Sequence, residues 1–144
     1  MTHGAGIWLI VLLGLSLAGC DSLDGVLDLL QPTSTKVTLA NNTEASVDGT
    51  LLYHDEQDVP ELLLSEVGTE FDFDLEPGDL TTFSLDCDDL QAVQIEDADL
   101  RLLFGIGPET SSDVLRDGDD FGCGDEIVFT FTSLPEFDVN ITVR

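Results

Sequence analysis

The sequence predicts an all-β protein, an antiparallel β-sandwich immunoglobulin-like in size, on three observations. From Lys36 onward apolar residues recur at every second position, the period of a half-buried strand. The alternating stretches are short and close on Gly, Pro, Asn or Asp. Seven or eight of them follow at close spacing to the end of the chain, which suits two packed sheets, with a small barrel as the alternative.

The chain before Lys36 is of another kind. Ile7 to Leu17 is an apolar run broken only by Gly14 and Ser16. It is too short to span a bilayer as a helix, which needs about 20 residues. It ends in Leu17-Ala18-Gly19-Cys20, and Asp21 follows. An aliphatic residue, two small residues and a cysteine after an apolar run resemble the lipobox of bacterial lipoproteins. The resemblance implies cleavage by signal peptidase II before Cys20, a diacylglycerol on its thiol and an acylated amino group. Two or more chains give stable anchoring where one is marginal. In enteric-type bacteria an Asp at the next position resembles the signal for inner-membrane retention. Asp21 therefore favours that membrane, with the domain facing the periplasm or exterior. Residues 1–19 are then a signal peptide, 20–35 a lipidated cysteine and tether, and 36–144 the acidic domain. Within the tether Leu23, Val26, Leu27 and Leu30 share one helical face, Pro32 ends the pattern, and Thr33-Ser34-Thr35 reads as linker.

The strands follow in order. Val37 and Leu39 alternate up to the turn signal Asn41-Asn42; Val47, Leu51 and Tyr53 form a second strand with Gly49 as a weak point or bulge. His54 to Pro60 is a polar loop. Glu61 to Val67 suits either a buried strand or a helical turn. Phe71, Phe73 and Leu75 alternate with acids, Pro77-Gly78 turns the chain, and Phe83, Leu85 and Cys87 return, so residues 70–87 read as a hairpin. Asp88 to Val93 suggests a short helical turn capped by Asp88 or Asp89. Val93-Ile95 and Leu100-Leu102-Phe104 suggest two further strands. Gly105 to Ser112 is a loop, Val114-Leu115 a brief apolar return, and Arg116 to Asp125 a Gly/Asp loop. Ile127, Phe129 and Phe131 mark the clearest strand, and Phe137, Val139, Ile141 and Val143 the last.

The charge excludes some partners. Thirty acidic residues stand against four basic ones, a formal net charge of −26, and none of these charges falls in residues 1–19. Nucleic acid and anionic lipid are repelled, which makes a covalent anchor useful. A single lysine, Lys36, among so many carboxylates is also the composition of salt-adapted proteins. With 42% hydrophobic residues and clean alternation the chain is expected to fold.

With Cys20 acylated, Cys87 and Cys123 remain, and an exported location permits one intramolecular disulfide between them. That bridge would gather acids from two segments: Asp86 and Asp88 from one, and Asp117, Asp119, Asp120 and Asp125 from the other. Such oxygens suit Ca²⁺, although the loop lacks the EF-hand spacing. No other cofactor is indicated. Catalytic groups are few: after the signal peptide His54 is the one histidine, with no signature serine near it and no zinc or phosphate-loop motif. The reading is a membrane-anchored, non-enzymatic binding or structural β domain whose protein or envelope partner is unidentified. A Ca²⁺-binding structural module and a small carboxylate-dependent hydrolase are the alternatives.

Overall fold

In the computed structural model, which describes residues 31–144, the chain forms nine strands and a short helix among those residues. In chain order they are β1 (Ser34–Asn41), β2 (Ser46–His54), α1 (Glu61–Val67), β3 (Thr69–Leu75), β4 (Leu80–Asp86), β5 (Ala92–Arg101), β6 (Glu109–Thr110), β7 (Leu115–Arg116), β8 (Glu126–Thr132) and β9 (Asp138–Val143). The first sheet has the order β4-β1-β8-β9. The second has the order β3-β2-β5-β6, with β7 also pairing β5. All pairings are antiparallel except β1 with β8, which run parallel from Lys36↔Glu126 to Asn41↔Phe131. The two sheets make a β-sandwich. Its connections differ from the immunoglobulin pattern, where the first two strands share a sheet; here β1 and β2 lie in different ones.

The alternation read from the sequence places the core. Val37 and Leu39 of β1 and Ile127, Phe129 and Phe131 of β8 are fully buried against Val47, Leu51, Val93, Ile95 and Ala98 of the second sheet. Phe73 stacks on Phe131 with ring centroids 5.5 Å apart, and Phe131 on Phe137 at 6.4 Å. At about 25 cal/mol per Å² of apolar surface removed from water, each such ring stabilises by roughly 2–3 kcal/mol. A second, small cluster of Leu52, Val59, Leu64 and Ala92 lies on the outer face of the second sheet, beneath α1. Thus Glu61–Val67, open between strand and helix in the sequence, is helical, with Leu64 its one buried side chain.

Residues 70–87 do not form a hairpin. β3 pairs with β2, β4 pairs with β1, and the turn at Pro77-Gly78 carries the chain from one sheet to the other. Asn41 fixes that crossing. Its buried side-chain amide donates to the carbonyls of Ala45 (2.9 Å), Leu75 (2.9 Å) and Glu76 (3.2 Å), and its Oδ1 accepts from the Thr43 amide (2.9 Å). Its own backbone accepts from Gly78 and donates to Asp79. A local turn signal cannot distinguish a hairpin from a crossing, because the second half of the contact is remote in sequence.

Two expected strands, Val93-Ile95 and Leu100-Leu102-Phe104, are resolved differently. β5 is continuous from Ala92 to Arg101, and its register with β2 shifts between Thr50↔Asp97 and Leu51↔Ile95, so Glu96 is an extra residue. That bulge puts Ile95 and Ala98 on the same face. Gly49 sits opposite, and a Cβ there would collide with the Asp97 carbonyl. Leu102 and Phe104 leave the sheet and are exposed. The helical turn expected over Asp88–Val93 is a single turn closed by Asp89 and Leu90 amides on the Asp86 carbonyl, after which β5 begins. Ser34 and Thr35, read as linker, already pair with Asp86 and Leu85.

Candidate functional site

The pairings sort the loops to two ends. Pro32, the loop 87–91, the loop 117–125 and Arg144 lie at one end, with the disulfide. The connections 42–45, 76–79, 102–108 and 133–137 lie at the other.

At the disulfide end Cys87 and Cys123 are joined, with Cα atoms 5.4 Å apart. The Thr35 hydroxyl lies 3.8 Å from the Cys87 sulfur. Asp86 and Asp88 line a hollow of about 430 Å³ with Pro32, Thr33 and both cysteines. Of the other acids proposed as ligands, two are used within their own loop. Asp120 Oδ2 accepts from the Arg116 amide at 2.8 Å, and Asp125 Oδ2 from the Gly122 amide at 2.7 Å. Asp117 presents its carbonyl, not its carboxylate, to Gln57 Nε2 at 2.5 Å, while Asp119 is exposed. The Arg116 guanidinium does not neutralise these acids; it donates to the carbonyls of Gln57 and, at 2.9 Å, Val59. Among the described residues no three His, Cys, Asp or Glu side chains converge to hold a metal. The expected collection of Asp86, Asp88, Asp117, Asp119, Asp120 and Asp125 into one Ca²⁺ site is not formed. Turn-making engages one oxygen each of Asp120 and Asp125.

His54 lines a hollow of about 330 Å³ with Tyr53, Asp55, Val67, Thr69 and Asp89. Its Nδ1 accepts from the Glu56 amide at 2.9 Å. No serine or cysteine shares that lining. Cys20 and the segments 1–19 and 20–30 lie outside the described residues.

Charge is unevenly distributed over the outer faces. On the second sheet Asp74, Asp48 and Asp99 stand in register across β3, β2 and β5, and Asp72, Thr50 and Asp97 form the next row. Arg101 pairs with Asp48 and, at 3.4 Å, with Asp74. Those acids raise the guanidinium pKa, the Asp48 hydrogen bond most. Glu96 at the bulge is pushed up by burial first and then by Asp97 and Glu70. The first sheet presents mainly Thr82, Ser84, Thr130, Thr142 and Asn140, with Thr38 buried beneath Thr82 and Glu126, and Glu126 paired to Arg144 at 3.0 Å.

The loop end is apolar and exposed. Ile106 is 79% exposed, Leu134 86% and Phe104 98%. Phe104 holds a left-handed backbone at φ 72°, a conformation costly for a bulky side chain. Beside this loop Leu100, Leu102, Pro108, Ala45 and Phe137 line a groove of about 460 Å³, edged by Glu44 and Glu136. On the other flank, Gly105–Gly107 and Glu109 border a hollow that contains Asp48, Asp99 and Arg101. The sequence reading missed this end. Phe104-Gly105-Ile106-Gly107 was the signal, because two glycines leave a strand too weak to bury its apolar neighbours.

No family model matches the sequence, and no curated protein matches it. Among solved structures, the T6SS lipoprotein TssJ1 from Pseudomonas aeruginosa aligns with a TM-score of 0.49 at 14% identity, over 78% of this chain and 97% of that one. A protein from Eubacterium rectale, solved by NMR, aligns with a TM-score of 0.47 at 14% identity, over 76% and 88%.

Proposed function

We propose that this chain is an exported lipoprotein, held at a membrane by acylated Cys20, whose β-sandwich binds or spaces a partner without catalysis. The observation that carries the reading is the cysteine arrangement. Cys87 and Cys123 are joined to each other, so Cys20, at the end of Leu17-Ala18-Gly19-Cys20, is the cysteine left for lipid. An oxidised pair suits the export that the lipobox implies. The anchor would also keep beside a bilayer a domain whose charge of −26 anionic lipid repels. Residues 1–19 would be removed, 20–35 would link lipid to sandwich, and Asp21 favours inner-membrane retention.

Radiolabelled palmitate supplied to producing cells should enter the wild-type protein and be absent from Cys20→Ala. Lack of label in the wild type, or persistent label in the variant, would remove the anchor.

A further inference from the structure

We infer that the loop end is a docking surface for a polypeptide whose contact segment places an apolar side chain in the groove beside Leu102 and a lysine or arginine against the neighbouring acids. This rests on the binding-domain reading above but not on its lipid anchor.

Four exposed apolar side chains, Leu102, Phe104, Ile106 and Leu134, stand on the loops of one end; Leu62, Leu63 and Val67 of α1 are also exposed, but among the grooves described only the one at the loop end, beside Leu102, is lined mainly by apolar side chains. Leu102 lines the groove and Ile106 the hollow on the other flank, and exposed apolar surface rimmed by polar groups is characteristic of interaction sites. Phe104 is held outward by a backbone conformation that opposes its own stability, so no folding gain accounts for its placement. The adjoining groove, of about 460 Å³, falls in the size range of cavities that take one or more side chains.

Charge complementarity selects the occupant. Glu44 and Glu136 edge the groove, and Asp48, Asp99 and Glu109 on the other flank outnumber Arg101. An apolar anchor with a cation beside it satisfies both flanks. A second copy of this chain would bring the same carboxylates into contact, which like-charge repulsion opposes. An anionic bilayer is disfavoured by charge, because the chain carries −26 and the groove itself is edged by Glu44 and Glu136.

The test uses the full chain in detergent micelles, as wild type and as Cys20→Ala, with three labelled peptides read by fluorescence anisotropy. One carries a Leu anchor flanked by arginines, one has the Leu replaced by Ser, and one has the arginines replaced by Glu. The first should bind at least about tenfold more tightly than the others, a difference of about 1.4 kcal/mol, and high salt should weaken it. Phe104→Gly and Leu102→Ser should each weaken it several-fold while the melting temperature of Phe104→Gly does not fall. Equal binding of the first two peptides, or indifference to both substitutions, would overturn the proposal. So would a Phe104-dependent dimer in light scattering, or Phe104-dependent flotation of Cys20→Ala with phosphatidylglycerol vesicles. Palmitate labelling is read separately. Its loss with peptide binding intact sinks the anchor alone, and the converse sinks the docking surface alone.

Discussion

The rings of Phe71 and Phe83 meet with centroids 4.6 Å apart although their strands, β3 and β4, belong to different sheets. The chain between them crosses the sandwich, and Asn41 holds the crossing through three side-chain amide contacts to Ala45, Leu75 and Glu76. Asn41→Leu keeps the volume, takes that donor from the Leu75 and Glu76 carbonyls and the acceptor from the Thr43 amide, while the Ala45 carbonyl keeps the Thr43 hydroxyl. A buried group left unpaired costs about 1–3 kcal/mol, so this variant should lose roughly 3 kcal/mol or more in urea denaturation. A loss below about 1 kcal/mol would mean that the turn holds itself.

The disulfide spans a sequence separation of 36. On the chain-entropy model a loop of that size contributes about 4 kcal/mol. Reduction, or the double change Cys87→Ala with Cys123→Ala, should lower stability by that order, measured by urea midpoint with and without reductant. An unchanged midpoint under full reduction would show that the unfolded chain is already constrained there.

Phe104→Gly should raise stability by about 1 kcal/mol, because glycine adopts the left-handed region without penalty and the ring it replaces is 98% exposed. Calorimetry checks it. A fall in the midpoint would mean that the ring makes stabilising contacts.

Two glutamates should respond to pH with opposite sign. Hydrogen bonds from Arg144 and then Thr38 hold Glu126 below the ordinary glutamate value. Its stabilisation is present above the unfolded pKa and is lost as pH falls through the lower folded one. Glu126→Gln should therefore destabilise at pH 7, with the effect fading in acid. Burial, helped by Asp97 and Glu70, holds Glu96 above the ordinary value, so its ionisation opposes folding at neutral pH. Glu96→Gln should raise the midpoint at pH 7, and that gain should vanish below the unfolded pKa. Thermal melts of both variants from pH 7 to pH 3 provide the comparison.

Screening should stabilise the whole domain. The Debye length falls from about 10 Å at 0.1 M salt to about 3 Å at 1 M, and the chain carries −26. The melting midpoint should climb over that range. Ca²⁺ and Mg²⁺ at equal ionic strength should act alike, since Asp120 and Asp125 are engaged by amides of their own loop. A rise specific to Ca²⁺ would show that those hydrogen bonds yield to a cation.

The parts of the fold legible in sequence are those governed by alternation. Val37, Leu39, Ile127, Phe129 and Phe131 face inward as a two-residue period requires. What was not legible is which strand each one joins. Nothing local in Thr69–Asp86 distinguishes two strands of one sheet from one strand in each, since the partners are β2 and β1. The bulge at Glu96 is equally hidden, because one inserted residue resembles the end of one strand and the start of another. At the site, cysteine counting points to the Cys87–Cys123 pair, but counting acids cannot show that Asp120 and Asp125 turn toward amides of their own loop or that no three of the six converge among the described residues. The docking surface went unread because Leu102 and Phe104 continue the period of β5 beyond the point where the sheet ends.

The parallel partnership of β1 with β8 ties the first strand of the sandwich to a segment some ninety residues later. During synthesis β1 emerges long before Glu126–Thr132 can meet it, and pairing of such high contact order is slow. A nascent chain of this topology cannot join β1 to β8 until Glu126–Thr132 has appeared. Any machinery that threads unfolded polypeptide through a narrow channel would receive it in a passable state, and the sandwich would close on the far side.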